Sequence, residues 1–430
     1  MNKTYYPRLD ETVCRKVLPN GLTVLVVPKP GFTRKIAYFV TNYGSVHTAF
    51  TLDGQHYTTP AGVAHYLEHK MFDMPGDRDV TAEFAALGAV PNAFTSYALT
   101  AYYFSCTDNF SPALRLLLEF VSKPYFTHES VEKERGIIEQ EILMYADSAD
   151  SVVMEELNAC LYENHPIRVP IAGTVESIHS ISPFILYQCH RAFYHPANMV
   201  LCVVGDVDAD EVAAIAEEML PTERRSVAVP DFGPPEPETA VTAVSRREMD
   251  VAMTTFQLAF KCPPPPGGRE SAKAELVAEL AAEMLFGQSS QLYQWLYEDG
   301  LIDASFGGGE EFTAGTAILT CGGDSKDPEE VRNCILNEAK FLAENGLDPA
   351  AFQRIKRSFL GIRFKDLTSF DGTCYRLVAY HMENHDYFDF PGIFEEVTAE
   401  EVRQFIADNV KPEKCSLSIV DPRGTTMSRD

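Results

Sequence analysis

The sequence of 430 residues contains no apolar run of about eighteen residues free of charge, so no segment reads as a membrane-spanning helix. Its opening stretch, MNKTYYPRLDETVCRKVLPNGL, has neither an apolar signal core nor a small-residue cleavage site, and a cytoplasmic location is expected. Basic residues are scarce: 36 Lys and Arg stand against 62 Asp and Glu, for a formal net charge of −26. Such a surface repels phosphate backbones, which argues against a nucleic-acid partner. The ten cysteines include no C-x-x-C pair, and most sit inside apolar runs such as MVLCVVGD and AILTCGGD. They read as buried thiols rather than as a disulfide framework or a cysteine–zinc site. No G-x-S-x-G elbow supports a serine hydrolase, and FGGGEEF at 306–312 lacks the lysine and hydroxyl residue of a phosphate loop.

What is present is an ordinary apolar share of 45%, enough for a sizeable core, in a chain longer than one core usually serves. GLTVLVVP and KIAYFVTNYG read as two neighbouring strands. A helix around Leu67 follows, then a short one ended by Gly88, then the alternating stretch AFTSYALTAYYFSC. SPALRLLLEFVSK offers Ser111 as N-cap and Pro112 at the first helical position, and a long helix covers roughly 130–144. Residues 221–245, rich in proline and polar side chains, read as an exposed connector. The expected division is a domain at 1–225, a linker at 226–245 and a second domain at 246–430. The second half repeats the order of elements in the first, with ELVAELAAEMLFG standing where GVAHYLEHKMF stood. An internal duplication with one chemically empty copy is therefore expected, in an α+β fold of two related domains.

The run AHYLEHKMF contains H-x-x-E-H. On a helix, taking His65 as zero, Glu68 falls at about 300° and His69 at about 40°, with Ala64, Leu67 and Met71 opposite. Two imidazoles four residues apart can grip one cation, and a carboxylate beside them can take a proton from water. The pattern alone is equally compatible with a polar helix face. The helix SVEKERGIIEQEILMY adds carboxylates. Measured from Ile138, Val131, Ile142 and Tyr145 define its buried stripe, and Glu134 and Glu141 fall about 40° and 60° from that centre. Glu132 and Glu139 fall about 120° and 100° away, toward water. Burying two unpaired carboxylates is costly. A metal is one reason to bury them, and an internal pair with Arg135 or Lys133 is another. His190 and His195 share no helical face and read as core or turn histidines.

These residues resemble the pitrilysin/insulinase family of zinc metallopeptidases: H-x-x-E-H at 65–69, then Glu134 and Glu141, the latter 72 positions beyond His69. The words PNGLTVLV, GAVPNAFTSYALTAYYF, IAGTVESIHSIS and YHPANMVLCVVGD agree, and FGQSSQLYQWLYEDGLIDASF resembles a bacterial YmfH-like subgroup encoded as pairs of unequal partners. The resemblance implies antiparallel-rich sheets with helices packed on one face, as in a mitochondrial-processing-peptidase-like half-chamber. It implies that His65, His69 and Glu141 bind one Zn2+ per chain, that Glu68 is the general base, and that Glu134 is a supporting acid. It also implies that Asn92, Ala93 and Phe94 hold an extended peptide by strand addition; a plain edge strand is the alternative. The family's peptidases bring an arginine and a tyrosine to the substrate from the partner half, whereas Tyr297 and Asp303 stand near those positions here. A related subunit without zinc is therefore expected to supply that pair. The alternative is a non-catalytic structural or peptide-binding subunit of the same fold.

Overall fold

The computed structural model describes residues 1–76 and 78–424. The chain begins with β1 (Asn2–Tyr6), β2 (Glu11–Val17), β3 (Thr23–Pro28) and β4 (Lys35–Thr41). A small hairpin, β5 (Ala49–Leu52) and β6 (Gln55–Thr58), precedes α1 (Val63–Lys70), α2 (Val80–Ala86), β7 (Val90–Thr95) and β8 (Thr100–Cys106). Next come α3 (Phe110–Ser122), α4 (His128–Ala146), α5 (Ala149–Leu161), α6 (Val175–His179) and α7 (Pro183–Phe193). The first half closes with β9 (Met199–Gly205), α8 (Ala209–Met219) and β10 (Val229–Pro230). The second half has β11 (Val244–Met249), β12 (Thr255–Cys262), α9 (Gly268–Phe286), α10 (Gln291–Glu298), β13 (Gly307–Thr313) and β14 (Thr316–Asp324). It ends with α11 (Pro328–Asn345), α12 (Pro349–Asp366), α13 (Phe370–Met382), α14 (Phe390–Glu396), α15 (Ala399–Asn409) and β15 (Cys415–Pro422). Among the described residues no helix is long and apolar enough to cross a membrane.

The chain forms two compact units, and neither is a simple half of the sequence. Residues 1–142, 170–232 and 364–388 make the first; residues 143–169, 233–363 and 389–430 make the second. Helix α5 of the first half thus belongs to the second unit, and α13 of the second half belongs to the first.

The first unit holds a seven-stranded sheet in the order β1-β2-β3-β9-β4-β8-β7, with β3 and β9 parallel and the other neighbours antiparallel. The expected adjacency of β3 and β4 does not occur: β9, some 160 residues downstream, lies between them. Both strands are apolar on both faces, and nothing local marks which partner fills the gap. Alternate residues Ala37, Phe39, Phe104, Leu201 and Val203 face Leu117, Phe120, Val131, Ile138 and Phe193 in the main core. The other face of β9 and β4 is covered by α13, whose Cys374 thiol lies 3.8 Å from the Cys202 carbonyl. Cover on both sides explains why β9 is buried at every residue instead of alternating.

The second unit holds a five-stranded sheet, β11-β15-β12-β14-β13, with β11 and β15 parallel and the rest antiparallel. Strand for strand this repeats β3-β9-β4-β8-β7, in sheet order, chain order and direction. Both units are α+β with antiparallel-rich sheets, as expected. Helix α5 packs on the second sheet through Val152 and Val153 against Val420.

Helix α3 starts at Phe110, with Asn109 as its N-cap in the left-handed region at φ 52°, so Ser111 is not the cap. The Asn109 amide instead reaches the Leu87 carbonyl at 3.0 Å, and the Ser111 hydroxyl donates to Glu211 at 2.7 Å. Those long-range bonds outweigh the local capping preference of serine.

Candidate metal centre

Helix α1 starts at Gly62, which takes φ 87°. A Cβ there would lie 2.4 Å from the Ala172 carbonyl oxygen, so both conformation and space require glycine. The segment it meets is fixed in turn by the Ser177 hydroxyl, which donates to the Ala61 carbonyl at 2.9 Å, and by the Thr174–Ser177 capping box of α6. On the far side of α1, the Tyr66 hydroxyl donates to the Val131 carbonyl and fastens α1 to α4. Two segments far apart in sequence, AGVAH at 61–65 and IAGTVES at 171–177, thereby set the angle at which α1 presents its polar face.

That face carries His65, Glu68 and His69. His65 Nε2 lies 3.6 Å from Glu141 Oε1, and His69 Nε2 lies 3.5 Å from Glu141 Oε2. One donor atom from each of the three residues lies within 4.8 Å of the others. His69 Nδ1 is 3.0 Å from Glu134 Oε1. An ionised carboxylate only accepts, so Nδ1 carries a proton, and Nε2, on the Glu141 side, is the nitrogen that could ligate a metal. Among the described residues His65 Nδ1 is buried without a hydrogen-bond partner, so no second carboxylate of these backs this ring. Two imidazoles and a carboxylate suit zinc. Tetrahedral bonds of 2.0 to 2.1 Å would put such donors about 3.3 to 3.4 Å apart, a few tenths of an ångström closer than the two histidine–Glu141 distances and inside the 4.8 Å that spans the whole set. The donor set therefore fits a zinc ion.

Helix α4 turns its carboxylates as its apolar stripe dictates. The side chains of Glu134 and Glu141 are 17% and 23% exposed, against 47% and 34% for Glu132 and Glu139. Arg135 pairs with Glu132 at 2.5 Å and donates to the Ile181 carbonyl at 3.0 Å, so it does not neutralise Glu134. Tyr145, placed on the buried stripe by periodicity, is instead exposed: the main core takes in Val131 and Ile138, with Ile142 packed against it, and does not extend to Tyr145.

Electrostatics separate the two histidines. Burial, helped by the neighbouring His69, pulls the His65 pKa down to about 4, so its imidazole is neutral and free to ligate. Burial also pulls His69 down, but the Glu134 hydrogen bond and the charges of Glu68, Glu134 and Glu141 outweigh it, for a net rise. Burial raises the Glu68 carboxyl, partly offset by a hydrogen bond from Thr95. A raised carboxyl is a stronger base. Burial would raise Glu134 too, yet His69 and Lys70 hold it below the usual carboxylate value.

Strand β7 ends the sheet, bonded only to β8, and carries Asn92, Ala93 and Phe94 opposite Tyr103, Tyr102 and Ala101. Ala93 packs toward the core, and two residues on, the Thr95 hydroxyl donates to Glu68 Oε2 at 2.8 Å. The edge strand and the base are thus coupled through Thr95. Sequence reading missed both Thr95 and Lys70; the period of two that places Thr95 beside Ala93 was available to find the first. His190 is buried and bonded to the Val121 carbonyl at 3.1 Å, and His195 is buried. Tyr297 is exposed and stacks on Tyr293, and Asp303 accepts from the Ser305 amide and hydroxyl, both in the second unit.

The model of the insulinase family, peptidase family M16, matches residues 53–175, which contain the whole constellation, and that of the peptidase M16 inactive domain matches 180–359. The uncharacterized zinc protease YmfH of Bacillus subtilis is 36% identical over 431 residues, spanning 97% of this chain and 98% of that one. The chain belongs to the insulinase family, M16. A crystal structure of a putative M16-like peptidase from Alicyclobacillus acidocaldarius is 32% identical, with a TM-score of 0.91 over 96% of this chain and 98% of that one. A protease from Helicobacter pylori, 18% identical, shares the fold with a TM-score of 0.83 over 95% of this chain and 99% of that one. The M16 chain is thus similar over nearly its whole length to a protein named a zinc protease.

Proposed function

We propose that the chain is a zinc-dependent endopeptidase that hydrolyses short unfolded peptides in a chamber formed with a related subunit. The observation that carries this reading is the convergence of His65, His69 and Glu141 donor atoms beside a half-buried, Thr95-tethered Glu68. His65, His69 and Glu141 would hold one zinc ion, with Glu134 fixing the His69 ring. When bound, zinc polarises a peptide carbonyl and brings the pKa of water near 7. Glu68 takes the proton from the attacking water and delivers it to the leaving amine. Asn92, Ala93 and Phe94 hold the substrate as an added strand, which fixes the scissile bond relative to Glu68. The second subunit supplies the arginine and tyrosine that steady the developing oxyanion, because Tyr297 and Asp303 stand near those positions in this chain. We read 1–225 and 246–430 as two copies of one ancestral domain, joined at 226–245.

Peptide cleavage by the purified chain alone and mixed with its related subunit tests the reading. Activity in the mixture, lost in Glu68→Gln with zinc retained, is the expected result. The alternative, a non-catalytic peptide-binding subunit, has in its favour the inactive-domain match over 180–359. Stoichiometric zinc with no cleavage in any pairing would establish it instead.

A further inference from the structure

Lys70 follows His69 directly, and its side chain is 1% exposed. At about 140° from His65 it turns away from the metal-binding face toward the side packed by Leu67 and Met71. Burying an ammonium group costs several kcal/mol unless partners surround it, so its partners state its role. They are Asp73, which it bonds directly, the Ser130 carbonyl at 3.1 Å, and Glu134 Oε2 at 3.7 Å. Glu134 is therefore gripped at both oxygens: Oε1 faces His69 Nδ1 and Oε2 faces the Lys70 ammonium. Among the described residues no other cation besides His69 pairs with Glu134, since Arg135 is turned to Glu132. The contacts with Asp73 and Ser130 fix the ammonium independently of Glu134, so Lys70 can serve as the anchor and Glu134 as the part anchored.

We propose that Lys70 is a positioning residue, which clamps Glu134 so that its other oxygen holds the His69 ring with Nε2 toward Glu141. This rests on the zinc reading above. Carboxylates behind ligating histidines typically change metal affinity by about 10- to 100-fold, and Lys70 should act through that same link. A lysine that merely joined α1 to α4 would change stability and leave the histidine ring to Glu134 alone.

The test is a double-mutant cycle on zinc affinity, measured on the full chain by competition with a chromophoric chelator. Lys70→Met should weaken zinc binding by about 10- to 100-fold, and Lys70→Arg should recover most of the loss. In a Glu134→Ala background, Lys70→Met should have no further effect. Equal losses with and without Glu134 would overturn the proposal, as would zinc affinity in Lys70→Met equal to that of the wild type. A wild-type chain that binds no zinc would remove the functional reading and this inference together, which separates the two failures. If Lys70→Met does not fold, Lys70→Gln enters the same cycle; if that also fails, Lys70 is a folding residue and the proposal falls.

Discussion

In both units a helix stands between the second and third strands of the shared five-strand core, and in both it carries two polar side chains one turn apart. In the first unit these are His65 and His69 on α1, facing Glu141 of α4. In the second they are Glu275 and Glu279 on α9, facing Arg363 of α12 at 3.6 and 3.0 Å. Helices α4 and α12 occupy the same place in the order, each second after the fourth core strand. The position of Glu68 is taken by Ala278, which is fully buried. The first unit gathers two imidazoles and a carboxylate that could hold a metal; the second supplies its own cation, a guanidinium held between two acids. The same backbone therefore carries either a potential metal-donor set or an ion cluster, and three or four side chains decide which.

The comparison breaks most sharply at the base. Glu68→Gln should lower peptide hydrolysis by about 10²- to 10⁴-fold, read as kcat/KM on a quenched peptide, with zinc content unchanged. Glu279→Gln, on the equivalent helix of the second unit, should leave turnover unchanged; a loss like that of Glu68→Gln would dissolve the distinction between the units.

Next in size is the closed cluster. The Arg363 side chain is 7% exposed, and its removal strands two carboxylates with little water around them. Arg363→Met should destabilise the protein by about 3 to 5 kcal/mol in urea unfolding. A loss below about 1 kcal/mol, the worth of an exposed pair, would show that the guanidinium does not stand in for a metal.

A smaller effect lies in the second unit, where Glu236 accepts from the amides of Glu163, Asn164 and His165 and from Lys261 at 2.8 Å. Burial alone would raise this carboxyl, but those donors outweigh it and hold the pKa at about 2, below the ordinary 4.5. A carboxyl lowered on folding stabilises the fold fully above its unfolded pKa, and the contribution drains away as pH falls through the folded one. Stability should therefore drop between about pH 4.5 and 2, and Glu236→Gln should flatten that slope. An unchanged acid slope in the variant would assign the loss to other carboxylates.

Much of the centre was legible because it is local: H-x-x-E-H lies within one helix, and the apolar period of α4 points Glu134 and Glu141 inward. The repeated order of strands and helices in the two halves was legible because each element carries its own local apolar pattern. What could not be read depends on contacts distant in sequence. The insertion of β9 between β3 and β4 and the exchange of α5 and α13 each join segments more than a hundred residues apart, and no local preference encodes them. Lys70 was missed for a different reason. A lysine between His69 and Met71 reads as a surface residue, and its burial follows only from Asp73, Ser130 and Glu134 meeting it in three dimensions.

One unit should bind zinc and the other should not, and the metal content of the purified chain tests this directly. Mass-spectrometric metal analysis should give one zinc per chain, none in His69→Ala, and an unchanged value in Glu279→Ala. A wild-type chain without zinc, or a His69→Ala chain that keeps it, would overturn the assignment of zinc to His65, His69 and Glu141.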